Sequence, residues 1–112
     1  MDPTLGHEQA GRRPVLVLSQ EPFNQRSGLV TVVPLTTARR PPRPWEVTLP
    51  TGCGGILTDS IVLAAHIRTL SRERLQLPPL GRITDAGIRR EIAGCVLLHL
   101  GFTDLERLAF EE

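Results

Sequence analysis

Chemistry at a phosphodiester needs few kinds of side chain, and several of them gather near the start of this chain. The stretch GHEQAGRRP (6–14) sets one carboxylate, Glu8, close to two guanidinium groups, Arg12 and Arg13, just ahead of the apolar run VLVLS. A second apolar run, LVTVVPLTT, ends on the adjacent hydroxyls Thr36 and Thr37. Cleaving RNA without a metal requires a base for the ribose 2′-hydroxyl, charge stabilisation at phosphorus and a proton for the leaving 5′ oxygen. In such a scheme Glu8 is the base, Arg13 grips the phosphate bidentately and Thr36 donates to a non-bridging oxygen. A guanidinium, with a pKa above roughly 12, clamps well and releases protons poorly, so the acid is the unfilled role. The plain alternative is a surface ion pair of Glu8 with Arg12 or Arg13, worth at most about 1 kcal/mol, and two threonines that merely end a strand.

These residues must be held by the segments around them. Residues 1–13 show no apolar periodicity and read as an ordered loop. VLVLS (15–19) is a short strand buried on both faces. EPFNQRSG supplies turn residues, and LVTVVPLTT (29–37) is a second strand in which Pro34 points to an edge or a bulge. ARRPPRP is too proline-dense for a helix and forms an extended, solvated loop holding Arg39, Arg40 and Arg43. WEVTL alternates as a half-buried strand, with Trp45, Val47 and Leu49 on one side. ILTDSIVLAAHIRTLS reads as two short strands with a bend near Asp59 and Ser60, and LQLPPLGRIT as strand and turn. Thr84 or Asp85 then caps a helix in DAGIRREIAGCVLLHL, with Ile88, Ile92, Cys95, Val96 and His99 on one face and Gly101 as its stop. The expected architecture is mainly β, a small, curved, partly closed barrel with one C-terminal helix packed on it.

Composition sets the outer bounds. A chain of 112 residues suits a single domain spanning 1–112, able to bury roughly 65% of its unfolded surface without staples. All 13 basic residues are arginine, a side chain whose planar fork suits phosphates and base edges. Net charge is only +1, yet six Arg and one acid lie between Arg12 and Arg43, while four acids and one Arg follow Gly101. A local basic face fits this; a polyelectrolyte does not. Cys53 and Cys95 have no metal-type spacing, so no metal or cofactor is expected, and a reduced cytoplasmic protein is the default. No stretch approaches the roughly 20 apolar residues that span a bilayer, which argues against a membrane partner.

The segment DPTLGHEQAGRRPVLVLS closely resembles the signature of the MazF/PemK family of toxin endoribonucleases, and the likeness continues in order through VTVVPLTT, PWEVTLP, IRTLSRERL and LGRITD. Five ordered blocks are far more specific than one Gly-x-Glu-Gln. The resemblance implies an SH3-like barrel of the CcdB/PemK-like toxin fold, a homodimer, metal-independent cleavage of single-stranded RNA such as mRNA at short sequences, and a cognate antitoxin that blocks the RNA groove. It places the family's catalytic arginine on Arg13, its threonine on Thr36 and the glutamate some members use on Glu8. Gln9 and Arg12 fall among the substrate contacts, with Thr37, and the loop carrying Arg39, Arg40 and Arg43 borders the groove. Two departures stand out. The family's opening strand, ahead of Asp-Pro-Thr, has no counterpart before Asp2, so the barrel lacks a strand or another segment covers that edge. The family's Asp-Gln is replaced by Ala65-His66.

Other residues read more simply. His66 and His99 sit among apolar neighbours as structural histidines, and His7 is a weaker candidate base than Glu8. Trp45 reads as core or dimer surface, and the two cysteines as small buried hydrophobes. Two rival functions remain: a shortened, inactive relative that binds antitoxin or RNA, and a CcdB-like gyrase poison, for which the chain offers only Phe110 near its end.

Overall fold

The computed structural model describes residues 3–8 and 13–102. Strands β1 (Thr4–Glu8), β2 (Arg13–Val17), β3 (Leu29–Thr37), β4 (Val47–Leu49), β5 (Ser60–Val62), β6 (Arg68–Ser71) and β7 (Leu75–Arg82) form one antiparallel sheet in the order β4-β5-β3-β2-β1-β7, with β6 also paired to β3. The sheet curls into a half-barrel, and helix α2 (Ala86–His99) packs against it. Among the described residues no helix is long and apolar enough to cross a membrane.

The sheet is apolar on both sides at its centre. Leu5, Leu16, Val33, Leu35, Val47, Leu49 and Val62 build the main core with Ile92 of α2, while Val15, Val30, Val32 and Leu70 build a smaller cluster. Alternation along β2 and β3 sends neighbouring residues to opposite clusters. The expectation of a strand at VLVLS buried on both faces therefore holds, since Val15 and Leu16 are both fully buried in different clusters.

Pro34 is neither at an edge nor in a bulge. It pairs with Val15 in mid-sheet, at the point where the other edge of β3 passes from β6, which pairs Leu29 through Val32, to β5, which pairs Leu35 through Thr37. No ladder donor is needed at that handover. Its carbonyl still accepts from Leu63 N–H at 2.9 Å.

Four further expectations change. Residues 4–8 are a strand, not a loop: a single buried side chain, Leu5, suffices because backbone ladders to β2 and β7 hold both edges. The edge of β1 away from β2 is covered by β7. EPFNQRS folds as a helix, α1 (Glu21–Ser27), with Pro22 in its first turn and Gly28 in the left-handed conformation at its end. Buried Asn24 fastens it, donating to Ser19 O at 3.2 Å and accepting from Ser19 Oγ. The two strands expected in ILTDSIVLAAHIRTLS are β5 and β6, but the chain turns at residues 63–67. Asp59 instead ties loops, its Oδ1 accepting from both Thr51 N–H and Oγ1 at 2.7 Å. Trp45 lies outside β4 and is 47% exposed, so it is no core residue in this chain.

The helix was legible. Asp85 caps it by accepting from Ile88 N–H at 2.9 Å. Gly101, at φ 85°, and Phe102 close it with bonds to Leu98 O and Leu97 O, the pairing of a Schellman end. Ile88, Ile92, Cys95 and Val96 face the core as expected, whereas His99 is exposed. Cys53 and Cys95 are free and half-buried, and burial pushes both thiols up.

Covering β1 requires an unusually close backbone approach. A Cβ added at Gly81 of β7 would lie 2.5 Å from the carbonyl oxygen of Gly54, in the 3-10 turn Cys53–Gly55. Backbone cannot yield as a flexible side chain can. Gly81→Ala is expected to lower unfolding free energy by about 1–3 kcal/mol in denaturant titration. Gly94→Ala, on α2 with open space around it, is expected to gain up to about 1 kcal/mol in the same measurement.

Candidate active site

Strand ends, where the ladder stops and side chains reach solvent, supply the polar groups. Arg13 begins β2, exposed, with half-buried Pro14 behind it, and its Cα partner across the β1–β2 ladder is Glu8. Directly opposed residues of a ladder have Cβ atoms about 4.5–5.5 Å apart. Thr36 and Thr37 end β3, exposed, opposite Ile61 and Ser60 of β5. Buried Leu35 roots that segment in the core.

A groove of about 650 Å³ brings Arg13, Thr36 and Thr37 together, with His7, Ser60 and His66 also on its walls. Glu8 reaches this region by strand register; its side chain, Gln9 and Arg12 lie outside the described residues. A second depression, about 560 Å³ along α2, is lined largely by apolar side chains such as Leu18, Ile92 and Val96. It has none of the hydroxyl or imidazole groups of the first. No group of three His, Cys, Asp or Glu suited to a metal ion occurs among the described residues.

Two histidines stand on the groove wall. His66, read as a structural histidine, is exposed in the turn after β5, where its N–H donates to Leu63 O at 3.0 Å. His7, half-buried on β1, lines the same groove.

A family model for the PemK-like, MazF-like toxin of type II toxin-antitoxin systems matches residues 1–95. The chain belongs to this toxin family. Among its curated members, Endoribonuclease MazF9 of Mycobacterium tuberculosis is 32% identical over 105 residues, covering 89% of this chain and 87% of the relative. Endoribonuclease toxin MazF of Escherichia coli is 39% identical over 70 residues, 62% of this chain and 59% of the relative. The MazE–MazF crystal structure from Deinococcus radiodurans superposes with a TM-score of 0.74 at 34% identity, over 89% of this chain and 94% of that one. The half-barrel with its C-terminal helix is thus the fold of MazF toxins.

The arginine-rich loop of this PemK/MazF-family chain is organised around an internal carboxylate. Arg40 donates to Glu46 through Nη1 to Oε1 at 2.7 Å and Nη2 to Oε2 at 3.1 Å, and Arg43 N–H donates to Oε1 at 2.9 Å. The Arg43 guanidinium approaches Oε2 at 3.6 Å. Neither Arg40, Arg43 nor exposed Arg39 lines the groove. The Arg40 bonds, helped by Arg43 N–H, outweigh burial and hold the Glu46 carboxyl down to about 2, against an ordinary 4.5.

Because that value is depressed on folding, the stabilisation is complete above about pH 5 and disappears as pH falls through 4.5 towards 2. Glu46→Gln is expected to be less stable than the parent chain at pH 7. The two denaturation midpoints should converge between pH 5 and pH 2, and a gap independent of pH over that window would refute the assignment.

Proposed function

We propose that this chain is the toxin of a type II toxin-antitoxin pair and a metal-independent, sequence-specific endoribonuclease that cleaves single-stranded RNA, mRNA included, through a 2′,3′-cyclic phosphate. The observation that carries this reading is the meeting of Arg13 with Thr36 and Thr37 in one solvent-open groove. The named activity of the curated relatives supports it.

In this mechanism Glu8 takes the 2′-hydroxyl proton and the freed oxygen attacks phosphorus. The Arg13 guanidinium holds the non-bridging oxygens, and its fixed charge counts for most when charge builds on the crowded phosphorus. Thr36 donates to one of those oxygens. The new bond to O2′ closes the cyclic phosphate as the bond to O5′ breaks. Thr37, Gln9 and Arg12 contact flanking parts of the strand. Arg39 is the loop guanidinium best placed to reach a more distant phosphate, because Arg40 and Arg43 are engaged with Glu46 and contribute field more than contact. A cognate antitoxin in the manner of the MazE–MazF complex, a second copy of the chain and a cytoplasmic setting complete the reading.

The test is cleavage of a long single-stranded RNA in the presence of EDTA, with the new 3′ ends analysed for cyclic phosphate. Arg13→Ala is expected to lose about 10²–10³-fold in rate while keeping its fold by circular dichroism. Undiminished cleavage by that variant would remove the assignment. RNA binding without turnover by the parent chain would favour an inactive binding relative instead.

A further inference from the structure

The mechanism above leaves one proton unsupplied, that for the departing 5′ oxygen, and the sheet order indicates where it comes from. Displacement at phosphorus is in line, with the attacking and leaving oxygens on opposite sides, so base and acid must flank the phosphate rather than share a side. In the order β5-β3-β2-β1, Glu8 on β1 and Arg13 on β2 lie to one side of the β3 hydroxyls. The turn that follows β5 lies to the other. That turn is pinned to β3 by Leu63 N–H donating to Pro34 O at 2.9 Å, and it closes on itself through His66 N–H to Leu63 O at 3.0 Å.

We propose that His66 is the general acid of this reaction, donating an imidazolium proton to the leaving 5′ oxygen; the assignment rests on the ribonuclease reading given above. The other groove groups fit the role less well. Hydroxyls are poor proton donors, and the buried Ser60 Oγ is engaged with Thr58 O at 2.9 Å. His7 is chain neighbour to Glu8 and sits on the attacking side. His66 is exposed, and its ring has no hydrogen-bond partner among the described residues, which leaves it available to substrate. The proton ledger closes: the carboxylate of Glu8 gains the 2′ proton, the imidazolium loses one to O5′, and exchange with water resets both.

The decisive comparison uses two single-stranded oligonucleotides of one sequence, chosen from the sites the parent chain cuts in long RNA. One has the natural 5′ oxygen at the scissile bond and the other has sulfur there, because a thiolate departs without a proton. His66→Gln is expected to slow the oxygen substrate about 10²–10⁴-fold and to cleave the sulfur substrate at close to the parent rate. His7→Gln serves as comparison and should show no such selective rescue. Equal slowing of His66→Gln on both substrates would assign the residue to binding or structure and overturn the proposal. So would an unslowed variant, or sulfur rescue of His7→Gln in its place. A folded parent chain that cuts no RNA at all would overturn the ribonuclease reading itself, whereas an active parent with an indifferent His66→Gln overturns only the role of His66.

Discussion

Everything in this molecule hangs on β3, a strand of nine residues that carries partners along both edges. Because its two faces are both apolar, alternation of apolar and polar residues cannot by itself fix the register. Pro34 does so. A slip of one residue would turn the position with no N–H towards β2, which needs a donor there, a slip of two would take that donor from β6 or β5, and the single slip would also drive Thr31 or Thr36 towards a core. The one place on β3 that tolerates proline is the handover between its two outer partners. That same handover receives the Leu63 N–H, so the pinning of the register and the placing of the turn at His66 are a single event.

Distribution of charge follows from this frame. The groove lies at the ends of strands whose middles are sealed, which leaves Arg13, Thr36 and Thr37 anchored yet wet. The Arg-rich loop was expected to border the groove, but Glu46, whose side chain is only 4% exposed, draws Arg40 and Arg43 inward. With its carboxyl held to about 2, Glu46 stays ionised across any physiological pH. Among the described residues, fixed positive charge on the groove wall therefore comes from Arg13 at the strand end, and Arg40 and Arg43 act first as structure.

What could be read from the chain, and what could not, divides along local and non-local lines. β3 and α2 were legible because their signals are local: a β-branched run ending in two hydroxyls, and Asp85 before an apolar stripe that ends at Gly101. Arg13, Thr36 and Thr37 were legible for the same reason, being polar groups placed where strands begin or end. β1 was not, since one leucine gives no periodicity and the strand exists through partners elsewhere in the chain. α1 was hidden by Pro22 and Gly28, which serve a short helix as well as a turn; the deciding contact, buried Asn24 on Ser19, is tertiary. His66 sits in an apolar stretch and reads as a structural histidine until the turn at residues 63–67 carries it to the groove wall.

The two walls of the groove are built by different means. The β3–β5 wall stands on buried side chains from several strands, with Leu35, Val47 and Val62 beneath it. The β1 wall has Leu5 alone among its strand's large apolar residues, and relies on backbone pairing to β2 and β7. Side-chain burial is set by composition, whereas backbone pairing needs an unbroken geometric fit along the ladder. That fit extends away from the groove to Gly81 and Gly54, where two backbones approach more closely than a Cβ permits. The side of the groove at β1 thus depends on a close backbone approach at glycines, while the side bearing Thr36 and His66 depends on packing directly under it. Where the groove holds a phosphate as proposed above, disturbing the first should shift groups on one of its flanks relative to the other, a placement to which in-line displacement is sensitive.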